Sequence, residues 1–180
     1  MKRRGWLLIS WLVEFNYIEH GAPPLTLNEE LCGHAQLWAN KLAEKGHIAF
    51  CEQQGIGENI TFFPLDISAE KVVEHWYSEH VKYKYETPGW QLGTNYFTQI
   101  VWKASKEVEM KKYPCLQNAI VNQIGIGRSI VWNEASQNMD DSVKGKREQV
   151  IVAFYSPAGN NNRFGQFASN VQKPSNICTS

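Results

Sequence analysis

The sequence predicts an α+β fold with an antiparallel sheet, and three observations predict it. Apolar residues recur at helical spacing in the first half of the chain, between residues 26 and 83. Short runs rich in β-branched and aromatic residues occupy the second half, between residues 96 and 155. The 180 residues fit a single domain, which at that length buries about 70% of the surface its unfolded chain exposes.

Taken in order, Thr26-Leu27-Asn28-Glu29 reads as a capping box, so a first helix is predicted to start there with Thr26 as its cap. Leu31, Ala35, Trp38 and Leu42 form its apolar stripe and Gly46 ends it. A second helix is predicted from Ser68 to about Tyr83, before Thr87-Pro88-Gly89 breaks the pattern. Three strands follow, at Tyr96 to Lys103, Gly125 to Trp132 and Gln149 to Tyr155, and are expected to pair antiparallel. The polar, charged stretch Asn133 to Glu148 reads as a long hairpin loop.

Eighteen basic residues balance eighteen acidic ones, which leaves no global field to attract phosphate backbones and argues against nucleic acid as a partner. Cys32, Cys51, Cys115 and Cys178 are too sparse for a disulfide scaffold and form no C-x-x-C pair, so reduced thiols are expected. Lys2-Arg3-Arg4 followed by Trp6 to Val13 has the charged and apolar regions of a signal peptide without its cleavage site, and the run is too short to span a bilayer. The same residues also read as an amphipathic or buried first helix.

At about 100° per residue the second helix places Val72, Trp76, Glu79 and Tyr83 in one narrow sector. A carboxylate in an apolar stripe needs a partner, a proton or a metal, because burying it alone is costly. Backbone N–H groups of a nearby loop would serve Glu79 equally well. Glu58 lies between Gly57 and Asn59, where flexible backbone lets a carboxylate approach another element. The zinc motif H-E-x-x-H is absent, and no G-x-S-x-G or Ser-His-Asp pattern is present, so serine hydrolysis has no support.

Four stretches in fixed order carry a resemblance: Gly57-Glu58-Asn59-Ile60, His75-Trp76-Tyr77-Ser78-Glu79, Gly93-Thr94-Asn95-Tyr96-Phe97-Thr98-Gln99-Ile100-Val101-Trp102, and Ile151 to Asn160. Together they resemble the CAP superfamily of cysteine-rich secretory, antigen and pathogenesis-related proteins. The tail, Gly165-Gln166-Phe167 to Pro174, looks like that of the Golgi-associated plant pathogenesis-related branch. The resemblance implies a three-layer α-β-α sandwich with a central antiparallel sheet. It covers residues 22–174, with 1–21 as an atypical N-terminal segment, an insertion at 109–124 and a tail at 175–180. Only His20-Gly21 and Pro23-Pro24-Leu25 match the family before residue 26, and the disulfide set usual in secreted members is not found.

The resemblance further implies that Glu58, Glu79, His47 and Tyr96 converge in a central cleft, Tyr96 standing where the family carries histidine. Two imidazoles with carboxylates would suit zinc, whereas a phenol with a pKa near 10 is a poor ligand. The remaining His47, Glu58 and Glu79 would hold a cation weakly; the favoured expectation is that Tyr96 donates a hydrogen bond to Glu58 or Glu79 instead, with no cofactor. The loop from Tyr83 to Trp90 is similar to a caveolin-binding-like loop implicated in sterol binding, making Tyr83, Tyr85 and Trp90 the expected lipid contacts. Rings that merely close the helix end over the core would give the same pattern.

The expected function is a non-enzymatic domain that binds sterol or another lipid and engages membranes, protein partners or a second copy. The alternatives are a metal-dependent hydrolase, with a carboxylate as general base on the His47, Glu58 and Glu79 site, and a protein-interaction scaffold. The expected location is intracellular, Golgi or membrane-associated, with secretion as the alternative.

Overall fold

The computed structural model describes residues 20–22, 25–103, 123–131 and 148–175. Along them run β1 (Thr26–Leu27), α1 (Glu29–Lys45), β2 (Gly57–Pro64), α2 (Ala69–Tyr77) with a 3-10 segment at Ser78–Lys82, α3 (Asn95–Ile100), β3 (Gln123–Ile130), β4 (Glu148–Ser156) and α4 (Gln166–Asn170). The expected signal-like segment before residue 20, the insertion apart from Gln123 and Ile124, the loop at 133–147, the tail beyond residue 175, and Cys115 and Cys178 lie outside the described residues. Among the described residues no helix is long and apolar enough to cross a membrane.

The four strands form one sheet in the order β1-β3-β4-β2. β3 and β2 each pair antiparallel with β4, and only the two-residue β1 runs parallel to its neighbour β3. β4 is buried on both faces, and its alternate side chains feed two separate cores. Ile151, Ala153 and Tyr155 join Val72, Val73, Trp76, Phe97 and Ile100 on one side. Val150, Val152 and Phe154 join Leu31, Ala35, Ala39, Leu42 and Ile60 on the other. The sheet is thus sandwiched between α1 and the α2–α3 layer, the three-layer architecture the sequence implied.

The first helix begins two residues later than its capping-box reading. Thr26 and Leu27 pair with Gln123 and Ile124, and Asn28 is the cap, its Oδ1 accepting from the Leu31 N–H at 2.8 Å. Gly46 stops the helix in the left-handed region at φ 69°, its N–H reaching the Leu42 carbonyl at 2.9 Å. Ser68 caps α2, as expected, and the helix tightens into its 3-10 segment after Tyr77.

Two glycines let α1 lie directly on the sheet. A Cβ at Gly125 would sit 2.3 Å from the Leu31 carbonyl carbon, and one at Gly127 2.2 Å from that of Ala35. From this close position α1 also closes the open edge of β3. Cys32 Sγ accepts from the Ile126 N–H at 3.4 Å, and the Gln36 amide bridges both the N–H (3.3 Å) and the C=O (2.6 Å) of Arg128. The fit follows from geometry: four helical residues rise about 6 Å, close to the rise of two strand residues.

One expected strand is a helix. The aromatic and β-branched character of Tyr96 to Lys103 predicts a strand, but Asn95–Ile100 is α3, and β2 supplies the missing strand. Phe97, Thr98, Gln99 and Ile100 are all buried, and contacts from outside hold the helix: the Glu79 carboxylate at its first turn and the Gly159 N–H on Gln99.

Candidate functional site

The stretches that carried the resemblance meet around α3. The Glu79 carboxylate accepts from the Tyr96 N–H at 2.7 Å and the Phe97 N–H at 3.1 Å, satisfying orphan donors of the helix's first turn. Asn59 Nδ2 donates to the Tyr96 carbonyl at 3.2 Å, and the Tyr96 hydroxyl donates to the Ile60 carbonyl at 2.7 Å. Gln99 projects between Gly57 and Gly159; a Cβ at either glycine would fall 2.1 Å or 2.7 Å from its amide atoms. The Gly159 N–H donates to Gln99 Oε1 at 3.1 Å. Thr98 Oγ1 donates to Asn160 Oδ1 at 2.7 Å, and Asn160 Nδ2 donates to the Asn95 carbonyl at 2.9 Å.

The four residues expected to share a cleft are not brought together. Side chains alternate along β2, so Glu58, Ile60 and Phe62 share one face and Asn59, Thr61 and Phe63 the other. Ile60 and Phe62 belong to the α1-side core, while Phe63 and the Thr61–Trp76 bond lie on the α2–α3 side with Glu79 and Tyr96. Glu58 accepts from the Cys51 N–H through both oxygens (3.1 and 3.0 Å) and from the Glu52 N–H at 3.0 Å. Burial pushes its carboxyl above the ordinary glutamate range and the Glu52 charge adds to this, while the Cys51 and Glu52 amides oppose it. His47 is exposed, with Nδ1 3.2 Å from the Ile48 carbonyl.

Tyr96 therefore partners a carboxylate through its backbone amide, not through its hydroxyl as expected. Among the described residues no three His, Cys, Asp or Glu side chains gather into a metal set, and Glu58 and Glu79 each already hold backbone donors on opposite faces of the sheet. Cys32 and Cys51 are free thiols. Burial raises the pKa of both, which keeps them protonated.

The expected lipid contacts occupy graded positions. Tyr83 is buried in the core, its ring 5.8 Å from Phe97, and so closes the helix end. Tyr85 is half-buried, edge-on to Tyr83 at 5.0 Å, and Trp90 is 53% exposed. Burial, with the neighbouring Tyr77 and Tyr83 phenols, pushes the Tyr85 hydroxyl up to about 12, so it stays neutral.

Sequence reasoning missed three residues that shape this region. Gln91 ties the loop together, accepting from the Lys84 N–H at 2.8 Å and donating to the Lys84 and Thr87 carbonyls at 3.0 and 3.1 Å. Lys173 donates to Glu86 Oε1 at 2.8 Å and stands over the Tyr85 ring, 5.9 Å from its centroid. His20, 1% exposed, bonds the Gln172 carbonyl through Nδ1 (2.5 Å) and the Tyr77 hydroxyl through Nε2 (2.9 Å). Only His20 had a sequence signal, as half of the His-Gly turn.

Comparison with known proteins places these features in context. The model of the cysteine-rich secretory protein (CAP) family matches residues 4–115. Golgi-associated plant pathogenesis-related protein 1 of Homo sapiens is 30% identical over 159 residues, covering 87% of this chain and 84% of its own. Venom allergen-like protein 4 of Schistosoma mansoni is similar in structure, with a TM-score of 0.52 at 19% identity, over 86% of this chain and 88% of that one. NaASP2, solved with Zn2+, has a TM-score of 0.53 at 15% identity, over 96% and 85%. At such identities the structural likenesses speak to the fold alone.

Proposed function

Because this chain belongs to the cysteine-rich secretory protein (CAP) family, we propose that it is a non-enzymatic CAP domain that binds sterol or another lipid through its aromatic loop and engages membranes or protein partners there. The observation that carries this reading is the exposure of Trp90 (53%) and Leu92 (84%) on a loop held by three Gln91 hydrogen bonds. Exposed apolar groups on an ordered loop are the arrangement expected of a lipid or interface contact, since no rearrangement is needed to present them. Val81, 75% exposed, lies in the 3-10 segment leading into the same loop. The neutral Tyr85 hydroxyl suits an amphipathic ligand with a polar end.

The contacts narrow to Tyr85 and Trp90, because Tyr83 belongs to the core. Replacing both with Ala in the full chain should abolish retention of dehydroergosterol while leaving the fold intact by circular dichroism; full retention by the folded variant would overturn the assignment. The hydrolase reading draws no support from the geometry, since Glu58 and Glu79 hold backbone amides on opposite faces of the sheet. An intracellular, Golgi or membrane-associated location is proposed with the lipid function, supported by the name of the human relative.

A further inference from the structure

Resting on the lipid reading above, we infer that the segment Asn170–Lys173 is a strap over the aromatic loop, and that Lys173, held by Glu86, competes with lipid for the Tyr85 ring. The strap is fixed deeply at three points and lightly at a fourth. The Lys103 N–H donates to the Asn170 carbonyl at 3.1 Å, Val171 is 4% exposed, and buried His20 holds the Gln172 carbonyl. The fourth point is the Lys173–Glu86 pair, whose side chains are 64% and 72% exposed.

That contrast separates a permanent anchor from a releasable end. Buried hydrogen bonds are costly to break because their groups are left without water, whereas an exposed ion pair exchanges readily with solvent. Lys173 nevertheless sits over the ring of Tyr85, where a cation is attracted to the π face. A lipid that stacks on that ring must move the ammonium aside first. Glu86 decides how often the ammonium is in place, since it is the carboxylate that holds it there.

The test uses the full chain and dehydroergosterol, with Lys173→Ala, Glu86→Gln, Tyr85→Ala and, as a control for charge, Lys41→Ala on the exposed side of α1. Lys173→Ala and Glu86→Gln should each tighten sterol binding about threefold, the size expected for one weak exposed pair with its cation–π contact. Wild type should approach them as salt screens the pair, and Lys41→Ala should bind as wild type. If both strap variants bind as wild type while Tyr85→Ala loses binding, the strap is refuted and the lipid site stands. An equal gain in Lys41→Ala would refute it as well, by assigning the effect to net charge. Binding unchanged in Tyr85→Ala would overturn the lipid site itself, and the strap with it.

Discussion

In the sequence Glu79 is a carboxylate in need of a partner and Glu58 one that flexible backbone can bring to another element, and each finds a pair of backbone amides. Glu79 satisfies the first turn of α3, a helix too short to be stable without outside contacts. Glu79→Ala should therefore cost about 2 kcal/mol in urea denaturation, combining a lost cap with two donors left unpaired, and Glu79→Gln roughly half, since its amide oxygen can still accept. Glu58 differs because burial raises its pKa. A carboxyl with a raised folded-state pKa contributes stability that is fully present below the unfolded value and is lost as pH rises through the folded one. Denaturant midpoints followed from about pH 4 to 7 should fall in wild type relative to Glu58→Gln, and parallel curves would refute the raised pKa. The need for a partner was legible at Glu79; the partners' identity was legible at neither site, since Cys51, Tyr96 and Phe97 carry other signals in the sequence and Glu52 carries none.

At the scale of elements, the contact of α1 with β3 depends on which glycines carry a neighbour. Gly127→Ala places a methyl within 2.2 Å of helix backbone that cannot swing away, so it should destabilise by about 1–3 kcal/mol or more. Gly33 lies inside α1 with nothing within 4 Å, so Gly33→Ala should stabilise by about 0.5–1 kcal/mol. Thermal melts of the two variants should move in opposite directions. Both long helices were legible because their stripes, the Ser68 cap and the Gly46 stop are local signals. α3 was not, because its helical state depends on Glu79, 17 residues earlier, and on a Gln99 side chain fitted between Gly57 and Gly159. β2 was not legible, because Gly57, Glu58 and Asn59 read as flexible backbone, although Ile60 to Phe63 continue as a strand.

For the whole molecule, the arrangement of layers decides what Tyr96 means. Tyr96→His would remove the phenol that seals the Ile60 carbonyl at the outer edge of β2. It would not bring Glu58 to the α2–α3 face or draw His47 out of solvent. Zinc titration of Tyr96→His by calorimetry should accordingly show no stoichiometric uptake beyond wild type, and a one-to-one isotherm would mean that the layers rearrange. The sandwich was legible from helices first and strands after, together with the resemblance; the separation of Glu58 from Glu79 was not, because a motif does not say towards which side of a sheet it points. β4 adds a last consequence. Its odd-numbered and even-numbered side chains belong to different cores, so neither core can open without loosening the strand the other rests on. The two halves should melt together, with calorimetric and van't Hoff enthalpies agreeing, and the amides of Val150 to Phe154 should be the last to exchange with deuterium.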